Sequence, residues 1–457
     1  MSQEGVELRL SLAREQGIVT IMKKHMTFLI AVVALVAPLW AQQLQPLPSD
    51  PYFSTYKPVK APAVQGPRLE AGDRLAICGD SITEQKMYSR IIETYLTACT
   101  PQLGVTVRQF GWSGERAPGF LARMENDVLR FEPTVATTCY GMNDHGYQPY
   151  QELLGATYRE ASCAVVRKFK GHGVRVIQGS AGTVGKMPAW VKQAKGDVED
   201  LNHSLLEFRN IGLSLACEEQ VAFADVFCPM LVGGFEGKKR FGEDFMIAGK
   251  DGVHPGWAGH LVMAYAFLRA MGLDGEIGTI TLDMADGKAT ASEGHRIAAT
   301  QAGQIEVESR RYPFCAAGPV DNDGSIRSGM TLVPFNKELN RLTLVVRNAP
   351  AGRHVVTWGE TSKSYSAEEL AAGVNLAADF ETNPFSEAFK RVDEAVAKKQ
   401  AYETRQVKDL FHGPEGQADM AMTAALTEKV RAPLAEAVSK AFVPVQHTIA
   451  IKAEAGR

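Results

Sequence analysis

Several features that would settle a protein's class at a glance are missing from these 457 residues. There is no Cys-x-x-Cys, and no two histidines stand at H-x-x-x-H or similar spacing, so no metal centre, no dithiol redox site and no cofactor are expected. Lys and Arg number 49 against 52 Asp and Glu, a net charge of −3, and no extended basic tract occurs. Phosphate backbones need clustered cations, which excludes nucleic acid as a partner. No apolar run reaches the roughly 20 residues that span a bilayer. No internal repeat is visible. The seven cysteines are an odd number, so at least one thiol is free; Cys217 and Cys228 could pair, although their spacing does not demand it. What is there is ordinary for a soluble globular chain, 45% hydrophobic and 22% charged, and long enough for two domains.

The amino-terminal region divides into three. Residues 1–21 read as a spurious upstream start. Residues 22–41 begin at Met22 with Lys23 and Lys24 and run apolar from Phe28 to Leu39. That is the pattern of a secretory signal cleaved after Ala41. Export to the periplasm or beyond the cell is therefore expected, with no stable membrane anchor after cleavage. Residues 42–68, rich in Pro and Gln, read as an extended leader.

From residue 69 to about 273 short β-branched runs alternate with amphipathic stretches. Strands are predicted at 74–78, 105–110, 134–140, 174–180 and 221–227. Helices are predicted at 87–99, 117–130, 150–170, 198–219 and 256–272. This alternation implies βαβ units in a mostly parallel sheet. Residues 276–380 change texture to short strands between Gly, Asn and Asp turns and read as a β-rich domain. Residues 383–457 read as a pair of long helices, the second interrupted at Pro433, with a terminal strand.

In an open parallel sheet, ligands bind outside the carboxyl ends of the strands. The predicted strands end in "CGDS" (Ser81), "FGWSGE" (Gly111, Gly114) and "YGMND" (Asn143, Asp144), and "DGVHP" (Asp251, His254) precedes the last helix of this region. A hydroxyl, a glycine turn, a carboxamide and an acid–imidazole pair would gather on one rim. Each has a task in acyl transfer. Ser81 needs a base to become a nucleophile, and His254 is the candidate. Asp251 could hold the other ring nitrogen. The backbone N–H groups of Ser81 and Gly114 and the Asn143 amide could receive the oxyanion.

These motifs, GDSI at 79–82, the glycine of "WSGE", GMND at 141–144 and DGVHP at 251–255, occur in the order found in the SGNH, or GDSL-type, hydrolases, and residues 70–272 resemble that family. The resemblance implies a flavodoxin-like α/β sandwich for the domain at 69–273. It also implies Ser81 as nucleophile, Asp251 and His254 as the rest of a triad, and Ser81, Gly114 and Asn143 as oxyanion donors. Gly111 could be aligned in place of Gly114. In an exported setting the chain resembles bacterial carbohydrate esterases, which remove acetyl groups from polysaccharides. A small-molecule or polysaccharide ester is the expected substrate, with Trp112 and Tyr147 as candidate substrate contacts. The rivals are a lipase, lysophospholipase or thioesterase, an O-acetyltransferase using the same triad, and a non-catalytic glycan-binding protein.

Other tempting signals fall away. "GWSGE" has Glu115 where a nucleophile elbow needs glycine, so Ser113 is not the nucleophile. "GSAGTVGK" has the wrong glycine spacing for a phosphate loop, and Met187 stands where Ser or Thr is required. His145, beside Asn143, is either a cleft residue or a structural one. Phe389, Val392 and Val396 form a stripe that ordinary helix packing explains.

Overall fold

The sheet that carries the site is built from β1 (Arg74–Gly79), β2 (Thr106–Gly111), β3 (Val135–Cys139), β4 (Arg175–Gly179) and β5 (Ala222–Ala224). All neighbours pair in parallel, in the order β2-β1-β3-β4-β5. The computed structural model describes residues 43–63 and 68–454, so the expected upstream start and signal segment lie outside the described residues. Among the described residues no helix is long and apolar enough to cross a membrane.

A parallel strand covered on both faces buries successive residues in opposite layers. In β1, Leu75 and Ile77 join one cluster with Ile91, Tyr95, Leu261 and Phe267. Ala76 and Cys78 join another with Phe120, Met124, Val165 and Phe169. The covering helices are α1 (Ser81–Glu84), α2 (Tyr88–Ala98), α3 (Ala117–Asp127), α4 (Glu152–Gly171), α5 (Val198–Glu218), α6 (Phe227–Phe241) and α7 (Trp257–Ala270). This is the parallel α/β sheet expected from the alternation, in the flavodoxin-like sandwich that the resemblance implies. Helix α6 was not expected. The Ser180 hydroxyl of the "GSAGTVGK" stretch accepts the N–H groups of Val226 and Phe227 at its start, so that serine serves as a helix cap.

The part of the leader from Pro46 to Ala63 is not simply extended. Pro51–Thr55 forms a helical turn, Phe53 and Tyr56 are buried, and the Val59 N–H donates to Asn210 Oδ1. Beyond α7 the chain makes two further sheets. β6 (Glu276–Asp283) pairs in parallel with β10 (Arg341–Arg347), flanked by β7 (Lys288–Ala291) and β13 (Val374–Asn375). The second sheet is antiparallel and runs β12 (Thr361–Ser366), β11 (Arg353–Trp358), β14 (Val445–Ala453), β9 (Gln304–Ser309) and β8 (His295–Gln301). The terminal strand β14 is thus its central member.

Two long helices, α8 (Ser386–Arg405) and α9 (Met420–Ala441), precede β14. Contrary to expectation, α9 runs through Pro433 without a break. Pro433 lies on the exposed face, where backbone carbonyls that lose an N–H partner can turn to water. These helices pack against β2, the edge of the parallel sheet. The Val107 carbonyl accepts from Lys399 Nζ at 2.7 Å and from Arg431 Nη2 at 3.2 Å, and the Gln109 N–H donates to Glu403 Oε2 at 3.2 Å. Side chains therefore satisfy an edge that would otherwise be open to another strand.

Candidate active site

Strand β1 ends at Gly79, and the chain turns at once into α1. Asp80 is the helix N-cap, in extended geometry, and its carboxylate accepts the Ile82 N–H at 3.0 Å. Ser81 is thereby the first helical residue, presented at the carboxyl end of the central strands. The local and chemical readings of this turn are compatible: the cap belongs to Asp80, and the serine side chain is left for other use.

The Ser81 hydroxyl donates to His254 Nε2 at 2.8 Å, and His254 Nδ1 donates to Asp251 Oδ2 at 2.7 Å. The other carboxylate oxygen, Oδ1, accepts the backbone N–H groups of Val253 and His254, both at 2.9 Å. One turn thus fixes the carboxylate plane and the ring tautomer together, with Nδ1 protonated and Nε2 free to accept. Partial burial pushes the Asp251 carboxyl up, but the His254 and Val253 N–H groups and the imidazole outweigh it and hold the pKa below its usual value.

The turn 112–115 carries the second element. The Trp112 N–H donates to the Gly79 carbonyl, the Ser113 N–H to Glu84 Oε2 and the Glu115 N–H to the Trp112 carbonyl. Among the described residues, the Gly114 N–H is the one backbone donor of this turn with no acceptor in the chain. Gly114 has φ +72°, a left-handed value that glycine adopts without strain. Gly111, the alternative alignment, has another task. A Cβ there would stand 2.1 Å from the Glu84 backbone nitrogen, so glycine is what lets α1 lie against β2.

Asn143 Nδ2 donates to the Glu115 carbonyl at 3.0 Å and lies 3.5 Å from Asp80 Oδ2, which ties the third strand end to the other two. Its Oδ1 accepts the Tyr147 hydroxyl at 3.0 Å, which fixes which way round the amide stands. Tyr147 pays for this place with φ +54°. Below them Glu115 is buried and accepts from Arg123 Nε and Nη2 (2.6 and 2.7 Å) and from the Tyr140 hydroxyl (2.8 Å).

Ser81, His254, Asp251, Gly114 and Asn143 are therefore all at this rim, as is Tyr147. Trp112 is also here, although its ring has protein neighbours: Arg123 at 5.1 Å, Lys408 at 5.3 Å and His412 edge-on at 4.8 Å. The aromatic nearest the base is Trp190, 44% exposed, whose ring centroid is 5.7 Å from that of His254. Of the two readings for His145, the structure gives the structural one. It is fully buried with Nδ1 2.6 Å from the Met142 carbonyl, and burial lowers its pKa to about 4 against the opposing pull of the Met142 and Gly141 carbonyls. A cleft of about 380 Å³ opens beside the triad, lined by Gln85, Lys250, Asp251, His254, Asp323 and Gly324. A cavity of about 410 Å³ between β2 and α9 touches none of the residues gathered at the rim.

Sequence reasoning missed Glu84, Lys408 and the caps on the 112–115 turn. Glu84 is only three residues from Ser81, a spacing that puts it on the same short helix. Lys408 is over 300 residues away and carried no motif.

A five-stranded parallel sheet with a serine–histidine–aspartate relay at its carboxyl rim defines an α/β hydrolytic enzyme of the serine class. Residues 77–262 match the model of the GDSL-like lipase/acylhydrolase family. That stretch is the α/β part of the chain, which is similar to the GDSL-type or SGNH hydrolases, and the protein is an ester-hydrolysing serine hydrolase. It is similar to an acetylxylan esterase from Geobacillus stearothermophilus, 23% identical over 230 residues that cover 45% of this chain and 97% of that one. It is also similar in fold to a gut microbial diltiazem-metabolizing enzyme, with a TM-score of 0.67 and 19% identity over 86% of this chain and 100% of that one. The second likeness extends past the hydrolase sheet.

Proposed function

We propose that the protein removes acetyl groups from a polysaccharide or oligosaccharide through an acyl-enzyme formed on Ser81. The observation that carries this reading is the unbroken Ser81–His254–Asp251 relay at 2.8 and 2.7 Å. His254 Nε2 takes the Ser81 proton as Oγ attacks the ester carbonyl. The oxyanion is received by the Ser81 and Gly114 N–H groups and by Asn143, whose long contact to Asp80 is the one given up. The imidazolium, stabilised by Asp251, then protonates the leaving alcohol. Water repeats the sequence on the acyl-enzyme, restoring Ser81 and releasing acetate.

Two observations support a saccharide alcohol. One is the acetylxylan esterase likeness. The other is Trp190 beside His254, an exposed ring on which a sugar could stack where the alcohol leaves. Export, which the sequence at 22–41 suggests, would bring such an enzyme to its polymer.

The test is hydrolysis of acetylated xylo-oligosaccharides and of acetyl and octanoyl p-nitrophenyl esters by the parent and by Ser81→Ala. Acetyl esters should be preferred, and the variant should lose about 10⁴-fold or more in kcat. A strong preference for octanoyl would refute the saccharide reading. Full activity in Ser81→Ala would refute the nucleophile.

A further inference from the structure

The segment after α8 bears directly on the oxyanion turn. Gln406–Phe411 continues α8 as a π-helical turn, a wide form that is rare and frequent at functional sites. It is anchored on three sides. Gln406 Nε2 donates to Thr427 Oγ1 at 3.0 Å, the buried Phe411 stacks on Phe131 at 6.0 Å, and His412 Nε2 lies 2.8 Å from Asp127 Oδ2. From this platform Lys408 Nζ reaches both oxygens of Glu84, at 2.7 and 2.9 Å. Glu84 in turn accepts the Ser113 N–H, on the residue before Gly114.

We propose that Lys408 is a positioning residue for ester hydrolysis: by clamping Glu84 it holds the Ser113 N–H and so aims the Gly114 N–H at the oxyanion. The inference rests on the acyl-enzyme reading above and assigns the C-terminal helices a part in it. Gly114 is the most pliable residue of the turn, and the peptide that carries its N–H begins at Ser113. Its neighbours on either side are pinned, Ser113 to Glu84 and Glu115 to the Trp112 carbonyl. Burial pushes the Glu84 carboxyl up, yet the Lys408 ammonium and the Ser113 donors outweigh it and keep the carboxyl below its usual pKa. Without the ammonium, a half-buried carboxylate would turn toward water and release Ser113. The same segment grips the turn a second time at Trp112, where Lys408 Nζ lies 5.3 Å from the ring centroid and His412 packs edge-on.

The experiment measures kcat and KM for p-nitrophenyl acetate in the full chain and in Lys408→Met, Lys408→Arg, Glu84→Gln and the Lys408→Met/Glu84→Gln pair. Removing one oxyanion donor typically costs about 10²–10³. Misaiming one is expected to lower kcat by about 10- to 50-fold in Lys408→Met, with KM within about twofold. Lys408→Arg, whose fork also fits a carboxylate, should recover to within about threefold of the parent. Glu84→Gln should match Lys408→Met, and the double variant should be no worse than either single one, because the two side chains act together. The proposal is overturned if Lys408→Met keeps more than half of the parent kcat, if the loss falls in KM alone, or if the two losses multiply. Glu84→Gln decides the matter by the same kcat criterion should Lys408→Met not fold. Failure of the acyl-enzyme reading is a different result: a parent whose activity survives Ser81→Ala.

Discussion

Lys399→Met should be among the most damaging single changes outside the rim. Lys399 is 2% exposed, with Nζ 2.7 Å from Glu403 Oε1, 3.0 Å from Glu93 Oε1 and 2.7 Å from the Val107 carbonyl. Among the described residues, Glu403 keeps Arg431 Nη2 at 2.7 Å, but Glu93 keeps only the neutral Gln400 amide at 2.7 Å. The variant therefore strands a buried carboxylate and leaves the Val107 carbonyl one donor short. Breaking a buried ion pair from one side costs about 3–5 kcal/mol. The cost should depend on pH, and its sign follows from Glu93. Burial raises its pKa against the opposing pull of Lys399, with Glu403 adding to the rise. Loss of the ammonium raises it further. A carboxyl raised in the folded state contributes stability below its unfolded pKa and loses it as pH rises. The gap between variant and parent should thus be widest near pH 8 and narrow toward pH 5. Urea unfolding at both pH values measures it, and Lys399→Met/Glu93→Gln should recover about half. A destabilisation under about 1 kcal/mol at pH 8, or a gap indifferent to pH, would refute this account of the network.

Three further outcomes are expected. Tyr147→Phe removes the donor that orients Asn143, so the amide can stand either way round; kcat should fall about tenfold with little change in melting temperature, and an unchanged kcat would count against the orienting role. Asp251→Asn keeps the shape of the turn but loses the charge that favours the imidazolium, and kcat should fall by about 10³–10⁴; a variant retaining a tenth of the activity would show that the carboxylate is dispensable. Asp80 is pushed up to about 7, by burial first, against the Ile82 N–H and with Asp144 and Glu115 adding to the rise. Its contribution to stability is full below the ordinary carboxylate range and is lost as pH climbs from there through about 7, by about 1.4 kcal/mol for each pH step of one. Denaturation of the parent should therefore become easier between pH 5 and 8.5. Asp80→Asn, which preserves a good N-cap, should flatten the curve, and an equally steep curve in the variant would assign the effect elsewhere.

The parts of the site that were legible in the sequence are those that short-range chemistry writes down. A glycine-bounded strand end, an Asp three residues before a His and an Asn at a strand end each have a local signature, and the sheet rule brought them together. The matching helices, such as 198–219 against Val198–Glu218, were legible because their apolar period is long and ends at caps. Helix α6 was not, because Pro229 and three glycines, Gly233, Gly234 and Gly237, lower its apparent propensity. The steric reason is tertiary: a Cβ at Gly237 would stand 2.5 Å from the Phe245 ring. The strand at 288–291 left little to read because it is short and its inward positions are only half-buried alanines, Ala289 and Ala291.

The role of residues 383–457 was illegible for a different reason. The partners of Lys399, Glu403 and Lys408 are Glu93, the Val107 and Gln109 backbone and Glu84, about 300 residues earlier. In isolation, α8 shows only an amphipathic stripe whose polar side looks like any solvated helix face. In the fold, part of that polar side is buried, because an edge strand needs polar partners for its free N–H and C=O groups. The same packing puts Gln406–Phe411 beside the turn at 112–115. An addition that closes the sheet edge is thereby in place to brace the rim, so a truncation before α8 should cost both stability and turnover, even though it removes none of the residues that the motifs identify.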